Sequence, residues 1–331
     1  WHIPWPNAER FGICPWHREI LSGLLGSSIV GFHTQAHCNN FLQAVDRFLE
    51  ARLDRESDAV VRNGKTTLVR PYPISIAWPN PWVEQAPPVE QCRASVREEL
   101  SLPADALIGL GVDRIDYTKG IEERLLAVEA LLDAHPEFVG RFVFVQLGAP
   151  SRTAIPHYRA LNERLDDLAL RLNQKFQRPR YQPIVFARSH HEPATVFRYY
   201  RAAEFCYVSS LHDGMNLVAK EFVAARDDEQ GVLILSQFTG AARELTDALI
   251  VNPYDITQTH GAMYSALTMP KEIQHARMRA MRSLVAEFNV YRWAGRMLLE
   301  AARLRERERL NQRIRPGETA KQPSYSGSGG P

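Results

Sequence analysis

Cysteine is scarce in this sequence and forms no pattern. Cys14, Cys38, Cys92 and Cys206 are spread over 331 positions without a C-x-x-C pair. A disulfide framework is not expected in a chain long enough to build its own core, so the cytosol is the expected compartment. Long apolar runs are missing too: none approaches the roughly 18 residues of a membrane span, and no charged n-region with an apolar h-region opens the chain. No membrane association is expected. Nor does one sign of charge dominate. The net charge is +2 with Lys and Arg scattered, which gives no support for nucleic acid as a partner. There is no G-x-x-x-x-G-K-[ST] phosphate loop, no G-x-S-x-G elbow and no Ser-His-Asp order.

What is present is ordinary globular material, 45% hydrophobic and 24% charged, and 331 residues suit two domains. The chain opens on Trp1 rather than Met, which reads as a piece of a longer chain or a processed product. From Leu107 onward short apolar runs at 107–112, 142–147, 183–187, 205–210, 231–236 and 248–251 alternate with amphipathic stretches near 121–134, 156–172, 193–203 and 215–226. Continuous apolar runs alternating with helices predict a parallel sheet covered on both faces, a doubly wound α/β domain. The first 76 residues read as another α/β piece, with helices near 17–25 and 36–51, a strand at 27–33 and a strand at 66–76. Four prolines between 77 and 93 mark a linker. The nucleotide-binding unit then spans 94–287, with helices at 271–287 and 290–310. The second of these belongs to a closing segment, 288–312, and a disordered tail is expected over 313–331.

Ligands of such sheets bind beyond the carboxyl ends of the strands. Three loops there carry chemistry. "GVDRIDYTKG" puts Arg114 and Lys119 in a strand-to-helix turn, two cations suited to phosphate or, on a blander reading, surface partners of Asp113 and Asp116. "GAPSRTAIP" puts Arg152 before a helix starting near Pro156, with Ser151 or Thr153 able to cap it. "SSLHDGMNLVAKEF" (209–222) runs from a strand end through Asp213 and Gly214 into a helix whose Met215, Val218, Ala219 and Phe222 form the packed stripe. The amides of about Met215 to Val218 then offer an anion site. Glu221 reaches back over the loop or pairs with Lys220. Lys220 itself reads as a flank residue with no ligand role.

No two aspartates stand two apart. The Asp-x-Asp arrangement by which many sugar transferases hold a metal on a nucleotide diphosphate is therefore missing, and side-chain cations must neutralise any diphosphate handled here. No metal and no cofactor is expected. Cys14, His17, His33, His37 and Cys38 include metal-ligand types but match no common zinc spacing. His190 and His191 read as the approach to a helix.

These segments together resemble the trehalose-6-phosphate synthase family, glycosyltransferase family 20, of the two-domain GT-B fold. The matching stretches are "HIPWP" (2–6), "LLGSSIVGFHT" (24–34), "GVDRIDYTKGI" (111–121), "PSR" (150–152), "DGMNLVAKE" (213–221) and "LSQFTGAARELTDALIVNPYD" (235–255), in family order from Trp1 to about Leu310. The resemblance implies two Rossmann-like domains facing across a cleft, the N-terminal one lacking about 150 residues that help form the acceptor site. It also implies a retaining transfer of glucose from UDP-glucose to glucose 6-phosphate, giving trehalose 6-phosphate and UDP. By that resemblance Arg114 and Lys119 neutralise the donor diphosphate, Arg152 holds the acceptor phosphate, and Asp213 with the amides of Gly214 and Met215 holds the donor sugar. Asn216, Leu217 and Val218 supply amides to the phosphates, Glu221 accepts the ribose hydroxyls, and His2 lies beside the donor glucose. Two alternatives stand beside it: a glucosylglycerol-phosphate synthase with a glycerol 3-phosphate acceptor, and a truncated nucleotide-sugar-binding or regulatory module. A homo-oligomer is left open.

Overall fold

The computed structural model of the protein describes residues 1–152 and 154–314. The expected tail therefore lies outside the described residues, apart from its first two positions, as does the capping role weighed for Thr153. Among the described residues ten strands form two sheets. In the N-terminal unit these are β1 (Ile29–Phe32), β2 (Arg52–Asp54), β3 (Ala59–Arg62) and β4 (Lys65–Pro71). In the second unit they are β5 (Leu107–Arg114), β6 (Phe142–Ala149), β7 (Ile184–Ala187), β8 (Phe205–Val208), β9 (Val232–Ser236) and β10 (Leu249–Val251).

The second sheet is wholly parallel, in the order β10-β9-β8-β5-β6-β7. Its strands are continuous apolar runs because both faces are covered. Phe142, Phe144, Phe205, Tyr207 and Ile234 turn to one face, under helices Ile121–Ala134, Pro156–Lys175 and Ile256–Thr268. Val143, Val145, Cys206, Leu233 and Leu235 turn to the other, under helices Val89–Glu99, Pro193–Ala202, Leu217–Ala225 and Lys271–Glu287. Each large apolar side chain fully buried there stabilises by about 1.5–3 kcal/mol, so the two faces hold the sheet and leave its edge loops free for chemistry. The chain runs β5, β6, β7 outward, then returns to lay β8 on the other side of β5. The strand order reverses between β5 and β8, which is where such sheets bind ligands.

The first sheet departs from the expected pattern. β1 and β4 are parallel, but β2, β3 and β4 form an antiparallel meander. Asn63 and Gly64 make the two-residue turn between Arg62 and Lys65, both with positive φ (50° and 74°). An Asn-Gly turn between two apolar strands is a strong hairpin signal, and "VVRNGKTTLV" carried it. Helix Val89–Glu99 starts inside the stretch expected as linker, and helix Ile256–Thr268 has no counterpart in the expected set.

Among the described residues three polar ties join the second unit to the first. Helix Val290–Ile314 comes back across the N-terminal unit: Val290 N donates to Ile76 O at 2.9 Å and Trp293 Nε1 to Tyr72 O at 3.1 Å. Glu300 pairs with Arg70 at 3.7 Å and accepts from the Tyr72 hydroxyl. The third tie is Lys220, and it corrects the expectation. Far from lying on a flank, it is 1% exposed, donates to Ile74 O at 2.9 Å and pairs with Glu244 at 2.5 Å. Burial lowers its pKa while Glu244 pulls it back up. A polar residue in a helical sequence shows no periodicity of its own, so only packing reveals that it points inward.

Candidate active site

A cleft of about 430 Å³ opens at the β5/β8 switch point and is closed on the far side by the N-terminal unit. From the sheet side it is lined by Asp113, Arg114, Lys119, Asp213, Met215, Asn216, Leu217, Val218 and Glu221, and from the other by His2, His33 and Ile74. Arg114 ends β5 and is exposed. Past it, Asp116 caps a single 3-10 turn, Tyr117–Lys119, by accepting from Thr118 N at 2.9 Å. Gly120 follows at φ 61°, a left-handed conformation that suits glycine and reverses the chain into the helix from Ile121. Lys119 is thereby aimed across the switch point.

Its partner is Asp213, in the loop after β8, with Lys119 Nζ 2.7 Å from Asp213 Oδ2. The same oxygen accepts from Ser210 Oγ at 3.2 Å and Asn216 Nδ2 at 3.1 Å. Three donors fix one carboxylate oxygen, and Oδ1 accepts no hydrogen bond among the described residues. The arrangement leaves Oδ1 available for hydroxyl groups. The side chain of Asn216 has a task of its own. It is the N-cap of the helix, at φ 77°, with its side chain accepting from Ala219 N at 3.1 Å. The helix starts at Leu217 and the N-cap side chain takes up the Ala219 amide, so the amides of Asn216, Leu217 and Val218 are left without an intrahelical acceptor. Gly214 packs against the N-terminal unit: a Cβ there would come within 2.4 Å of the His2 carbonyl.

At the other end Glu221 is held by Tyr200, whose hydroxyl donates to Oε2 at 3.0 Å, while burial raises the Glu221 pKa. Its alternative as a partner of Lys220 is excluded by the Lys220–Glu244 pair. Across the cleft, His33 Nδ1 lies 3.1 Å from Tyr72 O and His33 Nε2 lies 3.2 Å from His2 Nδ1. The tautomer that satisfies both contacts carries the His33 proton on Nδ1 and lets Nε2 accept from His2. Burial lowers the His33 pKa to about 4, so it is neutral near pH 7.

Arg152 does not line this cleft. Its guanidinium stacks on Tyr158 and donates to the Tyr158 hydroxyl at 2.8 Å, and that hydroxyl donates to Asp116 Oδ2 at 3.0 Å. It thus stands on the loop after β6, one strand away, tied to the turn that presents Lys119. Asp113 and Asp116 are not partners of Arg114 and Lys119, since Asp113 pairs with Arg124. His33 and Tyr200 are contributors that sequence reasoning missed. His33 sits just past β1, at a strand's carboxyl end, which was its one legible signal. Among the metal-ligand types noted near the start, His17 Nδ1 contacts Cys14 O at 2.7 Å and Cys38 is buried. Among the described residues no three His, Cys, Asp or Glu side chains converge, and no helix is long and apolar enough to cross a membrane.

Two α/β units facing across a cleft, with cations and a helix start on the parallel-sheet side, define a glycosyltransferase fold of the GT-B type. The chain belongs to glycosyltransferase family 20, whose model matches residues 1–303. It is 40% identical over 295 residues to a bifunctional trehalose-6-phosphate synthase/phosphatase of Thermoproteus tenax, covering 88% of this chain and 40% of the relative. It is 36% identical over 300 residues to a trehalose-6-phosphate synthase of Klebsiella pneumoniae, covering 90% and 62%. Among solved structures, an Escherichia coli protein bound with UDP-2-fluoro glucose superposes with a TM-score of 0.84 at 33% identity, covering 90% of this chain and 66% of that one. A UDP-forming synthase of Burkholderia xenovorans in complex with glucose-6-phosphate gives 0.84 at 31%, covering 90% and 65%. The chain spans less than two thirds of the length of each of these relatives.

Proposed function

We propose that this chain carries the donor half of a retaining glucosyltransferase that moves glucose from UDP-glucose to glucose 6-phosphate, giving trehalose 6-phosphate and UDP. The observation that carries this reading is the Lys119–Asp213 contact at 2.7 Å, set between Arg114, the start of helix Leu217–Ala225 and Glu221 in one cleft. A nucleotide sugar fits that sequence of groups. Glu221 accepts from the ribose hydroxyls, the amides of Leu217 and Val218 with Arg114 and Lys119 meet the diphosphate, and Asp213 Oδ1 accepts from the sugar. Similarity to proteins named as UDP-forming trehalose-phosphate synthases supports the choice of donor and acceptor.

Chemically, the acceptor hydroxyl adds to the anomeric carbon on the face from which UDP departs. The anomeric carbon–oxygen bond to the β-phosphate breaks, its electron pair stays on the phosphate, and that phosphate oxygen takes the hydroxyl proton. The enzyme supplies charge stabilisation rather than a nucleophile. This assigns the leaving diphosphate to Lys119, Arg114 and the helix start, and calls for no metal. Arg152, by reorienting from Tyr158, is the group proposed for the acceptor phosphate.

The test is a transfer assay on the full-length protein with UDP-glucose or ADP-glucose against glucose 6-phosphate or glycerol 3-phosphate, beside calorimetric titration of this chain with UDP. Transfer from UDP-glucose to glucose 6-phosphate is expected. Turnover with the glycerol compound alone overturns the acceptor, UDP binding without transfer favours a nucleotide-sugar-binding module, and no UDP binding at millimolar concentration overturns the site.

A further inference from the structure

Beneath the cleft lies a cation that does not line it. Arg124 sits in the helix Ile121–Ala134 among Ile121, Leu125 and Val128, on its core-facing side, and is fully buried. Two of its nitrogens donate, Nε to Ser209 Oγ at 2.9 Å and one terminal nitrogen to Gln146 Oε1 at 2.6 Å, and the other stands 2.8 Å from Asp113 Oδ2 as an ion pair without hydrogen-bond geometry. The Tyr207 ring covers the guanidinium at 5.6 Å. Gly111 on β5 leaves the space, since a Cβ there would come within 2.3 Å of the Arg124 terminal nitrogen. A well-packed apolar side chain would serve a helix face at least as well, so it is the contacts of this buried arginine, not its burial, that set it apart.

It holds the turn in front of it. The Ser209 hydroxyl that accepts from Arg124 lies 2.9 Å from Lys119 O and 2.7 Å from Gly120 O. Asp113, the other anchor, lines the cleft and feels the charges of both Lys119 and Asp213. Left without Arg124, its carboxylate would compete with Asp213 for Lys119.

We propose that Arg124 is a positioning residue that, through Ser209 and Asp113, fixes the turn presenting Lys119 to the diphosphate of the donor. The proposal rests on the nucleotide-sugar reading of the cleft.

It is tested by comparing the affinity for UDP, by calorimetry, with that for uridine, by NMR titration. Wild type, Arg124→Met, Ser209→Ala and Arg124→Lys are each measured alone and with Lys119→Ala, with thermal melts reporting foldedness. Arg124→Met and Ser209→Ala are expected to weaken UDP about fivefold to tenfold and uridine less than twofold, and to add no further loss once Lys119 is alanine. Arg124→Lys, which keeps the charge but not the three-way reach, is expected to fall between. Ser209→Ala removes no charge and carries the test should Arg124→Met fail to fold. Equal losses for UDP and uridine, losses that simply add to that of Lys119→Ala, or no loss at all overturn the proposal while leaving the cleft reading intact. A wild-type chain that binds no UDP overturns the cleft reading and the proposal with it.

Discussion

Lys119→Ala separates binding from turnover, because its ammonium already has a partner. Lys119 Nζ lies 2.7 Å from Asp213, with both side chains mostly buried. When a nucleotide sugar arrives, the lysine exchanges part of that pairing for a phosphate, so the net gain in the bound ground state is small. As the bond to the sugar breaks, about one further unit of negative charge develops on the leaving phosphate. A unit charge about 4 Å away at an effective dielectric of about 20 interacts by about 4 kcal/mol, and half-developed charge in the transition state by about 2 kcal/mol. Loss of one preorganised donor at a developing oxyanion typically costs about a hundredfold to a thousandfold, which agrees. Turnover is therefore expected to fall about thirtyfold to a thousandfold while UDP-glucose affinity falls about tenfold at most. Single-turnover transfer of labelled glucose gives the first quantity and calorimetry with UDP-glucose the second. A loss of the same size in both, or a small loss in both, refutes the leaving-group role.

Glu221→Gln should weaken UDP by about tenfold yet raise the melting temperature at pH 7. Burial raises the Glu221 pKa in the folded state, so stability is lost as the pH rises from the ordinary carboxyl range through that raised value, and its charge costs the full amount above it. The stability gain should vanish below pH 4, where the folded and unfolded carboxyls are both protonated, and UDP affinity of the wild type should fall as pH drops through the raised pKa. Lys220→Met breaks a buried pair and leaves Glu244 and Ile74 O without their donor, so a loss of about 3 kcal/mol is expected in urea melts. A change under about 1 kcal/mol would show that the tie between the units is idle. EDTA is expected to leave transfer unchanged, and loss of activity restored by added magnesium would contradict the assignment of the diphosphate to side-chain cations.

Much of the second unit was legible because its signals are local. Helices Ile121–Ala134 and Lys271–Glu287 stand where the 3.6-residue pattern places them, and all six parallel strands fall on apolar runs. The hairpin of β3 and β4 was equally legible in its Asn-Gly turn, and was missed because only the strand after the turn, at 66–76, was read. Helix Ile256–Thr268 was harder to see, since it is only partly buried and carries a weak apolar stripe. In the cleft, the motif residues on single loops were visible as loops with chemistry. Which side chains meet was not. Lys220 and Glu221 are neighbours in sequence, yet one faces the core and the other the cleft.

The sequence alone determined the class of fold, the family, and the strand-to-helix turns that carry Arg114, Lys119, Asp213 and Glu221, because periodicity, turn residues and motif spacing are properties of neighbouring positions. Tertiary structure alone decided that β5 lies beside β8. That adjacency places Lys119 against Asp213 across 94 positions of chain, makes Asn216 a cap, ties Lys220 between the two units and sets Arg124 beneath the cleft. Strand order is a long-range choice, driven by burying both faces of a sheet at once, and no local pattern encodes it.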